Sequence, residues 1–277
     1  MAEAFPYQNQ ILNTPAFIFS IMLLQGTVSV ILLVLAVLVF MKYRENHKPQ
    51  TKDLSLTFLF MGLSFTSATI PIILAHVTPY VDLIWGFPIF YANMHFWWTS
   101  ISYALMTISV LFLLRFVRIL FESPRFLFWV FSVLVIIFNI WNVYQGLIAY
   151  SLDPTVNTLP TIPWGILFVI IGFLPWVFVV WFAGKLFKRL EPSVFRVGVK
   201  YIRFSAICTV CSYLLFIARP IISEILLTGI SKMFSEVFEF SYWIFFIFTG
   251  LLLYVGYTLP AWFRIRVDRH LQTRPTS

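Results

Sequence analysis

The chain has 277 residues, of which 60% are hydrophobic, 19% aromatic and only 11% charged, with a formal net charge of +8. An average soluble domain is about 25% charged. The apolar surface that 32 Phe, 10 Trp and 12 Tyr would leave outside one soluble core would cause aggregation. The composition therefore excludes a soluble enzyme, a disordered tail and a disulfide scaffold, and it indicates a membrane protein.

A helix needs roughly 20 apolar residues to cross a ~30 Å hydrocarbon core. Seven stretches qualify: 14–41, 53–77, 88–121, 124–150, 162–190, 197 into the 220s, and 238–259. Period-two alternation is missing and the stretches are too long for membrane strands. Backbone groups must be satisfied inside lipid, so the expectation is an all-α polytopic bundle of seven transmembrane helices. Residues 1–13 carry no Lys or Arg, and the first apolar run is too long for a signal-peptide core. The first stretch is therefore expected to stay as a membrane helix.

Several spans carry polar residues at helical spacing. In the second, Gly62, Thr66, Thr69, Ile73 and His76 share a stripe; in the third, His95, Thr99, Ser102, Met106 and Ser109 do. Both read as helix–helix contact faces or as the walls of a polar cavity. His76 and His95 lie toward one end of adjacent antiparallel helices. Two such histidines can hold a haem or a metal. No third ligand except Asp82 is near in sequence, and neither H-x-x-x-H nor H-E-x-x-H occurs. A hydrogen-bonding or pH-sensitive role is the better reading, so no metal and no cofactor is expected.

The fourth span carries three amides, Asn139, Asn142 and Gln145, three residues apart. They suit interhelical bonding or a ligand site. The sixth holds Cys208 and Cys211, which without a second pair read as small interface residues. It also holds Arg219 beside Pro220, with Glu224 following. Arg219 is the one base set toward the outer half of a span, where an unpaired charge is expensive. It is expected to snorkel to the interface or to anchor an anionic group, with Glu224, Asp82, Glu236 or Glu239 as pairing partners. Prolines at 71, 175 and 220 favour kinks. Aromatic residues crowd the start of the third span (Trp85, Phe87, Phe90, Tyr91, Phe96, Trp97, Trp98) and of the seventh (Tyr242, Trp243). Most of these read as an interfacial belt, and some as the wall of an apolar pocket.

The bases set the expected orientation. Lys42, Arg44, Lys48 and Lys52 follow the first span, and Arg115, Arg118 and Arg125 frame the turn after the third. Lys185, Lys188, Arg189, Arg196, Lys200 and Arg203 join the fifth to the sixth, and Arg264, Arg266, Arg269 and Arg274 lie in the tail. Thus 17 of the 19 bases fall on one side. The positive-inside rule then gives N-terminus out and C-terminus in, and a multi-pass protein of the plasma membrane. The basic face is expected to meet anionic lipid head groups, so nucleic acid is not needed to explain the charge. All connections are short. The organisation is read as an extracytoplasmic segment (1–13), one transmembrane domain (14–260) and a basic tail (261–277).

Three heptahelical families can be tested by their own residues. A retinal pigment needs a Lys in the seventh helix, and none lies between Phe238 and Pro260. G-protein-coupled receptors carry an acidic-Arg-aromatic triplet and N-P-x-x-Y, where this chain has Leu114-Arg115-Phe116 and Thr258-Leu259-Pro260. Pro49-Gln50 resembles the PQ-loop of sugar transporters but lies in a charged loop and has no second copy. The stretch Tyr254–Arg266, Y-V-G-Y-T-L-P-A-W-F-R-I-R, resembles the last membrane-helix exit of heptahelical sensor modules in bacterial and archaeal histidine kinases. Those modules feed an output domain, which is not expected in this chain, so the resemblance implies signalling through a partner.

Paired carboxylates, a trustworthy Ser-His-Asp arrangement and metal spacing are all missing, so an enzyme is not expected. The function expected is a heptahelical receptor or sensor that binds a small or lipidic ligand from the outer side. Its candidate ligand-binding residues are His76, His95, Asn139, Asn142, Gln145, Arg219 and Glu224. Its partners would be membrane lipids and a cytoplasmic signalling protein or a second copy of the chain. The alternative is a small-solute transporter or channel.

Overall fold

The computed structural model describes the backbone of residues 15–85, 88–144, 161–191, 193–225 and 229–260, with 263 and 265. Side chains are described for 20–70, 73, 98, 100–144, 167–191, 193–218 and 237–260, with 263 and 265. Seven α-helices make up the regular structure of these residues: α1 (Pro15–Asn46), α2 (Pro49–Trp85), α3 (Pro88–Phe121), α4 (Arg125–Tyr144), α5 (Thr161–Arg189), α6 (Val194–Ile225) and α7 (Gly229–Thr258). Each is long and apolar enough to cross a bilayer. The chain is thus an all-α, multi-pass membrane protein.

Local sequence explains the helix ends. Among the described residues three non-glycines adopt the left-handed conformation, His47 (φ 52°), Glu122 (φ 53°) and Leu259 (φ 44°), and each directly follows a helix. A proline follows within two residues, at Pro49, Pro124 and Pro260. A left-handed residue folds the chain back over the last carbonyls, and proline cannot continue the helix. The amide of His47 donates to Tyr43 O (2.7 Å) and that of Leu259 to Val255 O (3.0 Å). Pro49 and Pro88 also open helices, where the missing N–H costs nothing. Ser193 caps α6 by accepting the Arg196 amide at 3.3 Å.

The helices pack in a closed ring, each against the next in sequence, with α7 returning to α1. The third helix also touches α5, which leaves α4 at the periphery. The bundle is apolar outside and dotted with small hydroxyls inside. Val30, Val34 and Val37 of α1 and Trp129, Val133, Ile136 and Ile140 of α4 face outward, while Ser29, Ser64, Ser102, Thr107, Ser205, Thr209 and Thr249 are buried. Lipid offers no hydrophobic drive for association, so small residues and interhelical hydrogen bonds hold such seams. Ser29 Oγ donates to Gly62 O (2.9 Å) across α1 and α2, and Ser64 Oγ to Ser102 O (2.8 Å) across α2 and α3. Ser205 Oγ donates to Thr249 O (2.8 Å) across α6 and α7.

Among α1, α2, α3 and α7 the interior of the basic end is closely packed. Leu32, Phe58, Leu113, Phe116 and Leu253 are fully buried there. Lys42 Nζ donates to the carbonyl of Thr258, and the Thr51 and Tyr257 hydroxyls bond at 2.7 Å. These contacts tie the end of α7 to α1 and α2.

Candidate functional site

Toward the other end the ring encloses a cavity of about 150 Å³. Its lining comes from six helices: Gln25 of α1, Ser64, Phe65 and Ala68 of α2, Ser102, Tyr103 and Met106 of α3, Phe168 of α5, Tyr213 and Phe216 of α6, and Glu239, Tyr242 and Trp243 of α7. These residues lie 15–22 positions from the basic ends of their helices, or about 22–33 Å at 1.5 Å per residue.

The walls are aromatic and held edge to face. The Phe65 ring meets Trp243 at 5.1 Å (77°) and Phe246 at 5.1 Å (78°), and Tyr242 meets Trp243 at 4.8 Å (81°). Such geometry aligns positive ring edges with negative faces and fixes the rings. Across the cavity, Tyr103 lies on Phe168 at 4.6 Å. A glycine makes room for Tyr213: a Cβ at Gly172 of α5 would meet the Tyr213 hydroxyl. The ring can therefore lie close against the α5 backbone.

The serine and glutamine groups of the lining are engaged within the protein. Ser64 Oγ donates to Ser102 O and bonds Ser102 Oγ at 3.1 Å, so both hydroxyls belong to the α2–α3 seam. Gln25 Nε2 donates to Phe65 O at 3.5 Å. Trp243 is different. It is 7% exposed, and its indole Nε1–H has no hydrogen-bond acceptor among the described residues. A buried donor left unmatched costs about 1–3 kcal/mol. A small apolar molecule with one acceptor atom would fit both the walls and this donor.

The amides of α4 serve another purpose. Asn139 Nδ2 donates to Thr107 Oγ1 (3.0 Å) and to Val135 O (2.8 Å), and Asn142 Nδ2 donates to Ser100 O (2.7 Å). They bind α4 to α3, and neither lines the cavity. The side chains of His76, His95, Gln145, Arg219 and Glu224 lie outside the described residues, as does that of Thr99. The α3 stripe does supply Ser102 and Met106, and the α7 aromatic pair supplies Tyr242 and Trp243. Sequence reading missed Gln25, Phe65, Phe168, Tyr213 and Phe216 as lining residues. Only Gly172, small beside a run of bulky neighbours, hinted at a close approach on α5.

Cys208 and Cys211 are free thiols, and among the described residues no group of three or more His, Cys, Asp or Glu side chains is placed to hold a metal ion. No protein-family model, no curated protein and no solved structure matches the chain.

Proposed function

We propose that the chain is a heptahelical membrane receptor or sensor for a small, largely apolar or lipid-derived ligand. The ligand bears one hydrogen-bond acceptor, enters from the end opposite the basic face, and is read out by a partner on that face. The observation that carries this reading is the unmatched Trp243 indole in the wall of a cavity built from six helices. A ligand there touches both α2–α3 and α6–α7. It can shift a two-state equilibrium only by binding one arrangement of those helices better than the other.

The physical route to the basic face runs along α7. Trp243 packs on Phe65, and Phe65 on Phe246. Farther along α7, Tyr257 bonds Thr51 and packs edge-on against Phe116 at 5.2 Å. A rotation of α7 would thus be felt at α1, α2 and α3 together. A transporter would need a path through the packed core between the cavity and the basic end, and Phe58, Phe116, Leu113 and Leu253 fill that region.

The test uses spin labels at Ile119→Cys on α3 and Phe195→Cys on α6, in a Cys208→Ser/Cys211→Ser background. Adding back a lipid extract of the native membrane should shift the inter-label distance by about 2 Å or more, with no solute uptake into the vesicles. Unchanged distances, with or without saturable uptake, would overturn the receptor reading.

A further inference from the structure

A second cavity, of about 250 Å³, lies at the basic end between α5 and α6, lined by Phe187, Lys200, Arg203, Phe204 and Ile207. Its cations belong to one stripe. Arg196, Lys200, Arg203 and Ile207 fall at intervals of 4, 3 and 4 on α6, which places them on one helical face. Among the described residues no ion pair neutralises that stripe, and between positions 185 and 203 the single acid is Glu191, exposed in the connection.

The cations are spread over the site. The Arg196 guanidinium stacks on Phe187 at 4.5 Å, and its buried Nε has no hydrogen-bond acceptor among the described residues. Arg203 lies along the α5 backbone, where Gly184 leaves space: a Cβ there would sit 3.5 Å from its guanidinium carbon. Lys200 reaches 5.7 Å from the Phe204 ring. The α6 N-terminus beside them adds the positive end of a helix dipole.

One turn deeper the lining becomes apolar. Phe204 is an exposed aromatic on the lipid-facing surface, and Ile207 follows it toward the bilayer interior. Charge at the membrane boundary, continuous with an apolar surface below it, matches an amphiphile. The geometry points to a specific site for one anionic phospholipid, with its phosphodiester held by Arg196, Lys200 and Arg203 and an acyl chain laid on Phe204 and Ile207. This site is separate from the aromatic cavity and does not depend on it.

The full chain in neutral detergent, titrated with phosphatidylglycerol or phosphatidylcholine and read by native mass spectrometry, tests the assignment. The first phosphatidylglycerol should bind well ahead of phosphatidylcholine. Lys200→Gln/Arg203→Gln should weaken that first event about 10- to 30-fold, with thermal unfolding unchanged because both side chains are exposed. Lys48→Gln/Arg125→Gln, which removes two exposed bases elsewhere on the same end, should leave it intact. Millimolar inorganic phosphate should not displace the lipid. An equal loss in both double variants would mean diffuse charge attraction. Displacement by phosphate would mean a free-anion site. Either result overturns the assignment.

Discussion

Gly256→Ala and Gly198→Ala should each destabilise the folded protein by about 2–3 kcal/mol, whereas Gly26→Ala should leave it unchanged or stabilise it by up to about 1 kcal/mol. The same methyl group is added each time, so the difference comes from what it meets. At Gly256 a Cβ would lie 2.7 Å from the Gly198 carbonyl oxygen and 2.9 Å from the Ile202 amide nitrogen. At Gly198 it would lie 2.6 Å from the Gly256 carbonyl oxygen. Those neighbours are backbone atoms, so no side chain can rotate away and α6 and α7 must separate. Separation weakens the seam bonds of Ser205 and Thr209 to Thr249. At Gly26 nothing lies within 4 Å, and alanine is simply the better helix former. Thermal unfolding of the three variants in one detergent decides the matter. Equal effects at all three positions would refute close backbone packing of α6 on α7.

The second large effect concerns Asp53 and Arg115. Asp53 is 2% exposed and its Oδ2 lies 3.5 Å from Arg115 Nε, whereas Arg115 is half exposed. The pair is therefore lopsided. Removing the cation leaves a buried carboxylate without its nearest counter-charge; removing the carboxylate leaves an arginine that can turn to water. Breaking a buried pair by deleting one partner costs about 3–5 kcal/mol, and solvent around Arg115 screens part of that. Lys52 and Arg118 also place positive charge near the carboxylate. Arg115→Gln is thus expected to cost about 1–3 kcal/mol, and Asp53→Asn less than about 1 kcal/mol. Chemical unfolding of the two variants and their double measures this. Equal costs for the single variants would show that the burial of Asp53 does not govern the pair.

The number of helices was legible because membrane-spanning length is a coarse and redundant signal, repeated over some 20 residues each time. The hydroxyl stripes were legible too. Ser102, Thr66 and Gly62 recur at three and four residues and do lie at helix seams. Asp53 was misjudged by one turn. The sequence places the start of the second span at Asp53, but Pro49 opens the helix four residues earlier, and the carboxylate falls inside the bundle. The cavity was mostly hidden. Phe65, Phe168 and Phe216 sit in helices whose lipid-facing and inward faces both carry apolar residues, so periodicity cannot tell a lipid-facing ring from a cavity-facing one. Tyr242 and Trp243 looked like an interfacial belt because their composition suits either place. Asn142 was visible as an unusual amide, yet its partner, the carbonyl of Ser100, belongs to a neighbouring helix that only the fold brings close.

On the proposed function the aromatic cavity holds a small molecule. The most direct test is mass spectrometry of the compounds released on denaturing protein purified from native membranes, comparing the wild type with Ala68→Trp. Ala68 lines the cavity, and an indole there would occupy its space while leaving the basic end untouched. One compound is expected near one equivalent per wild-type chain, absent from an equally stable Ala68→Trp protein. The same compounds in the same amounts from both proteins, or none from either, would contradict it.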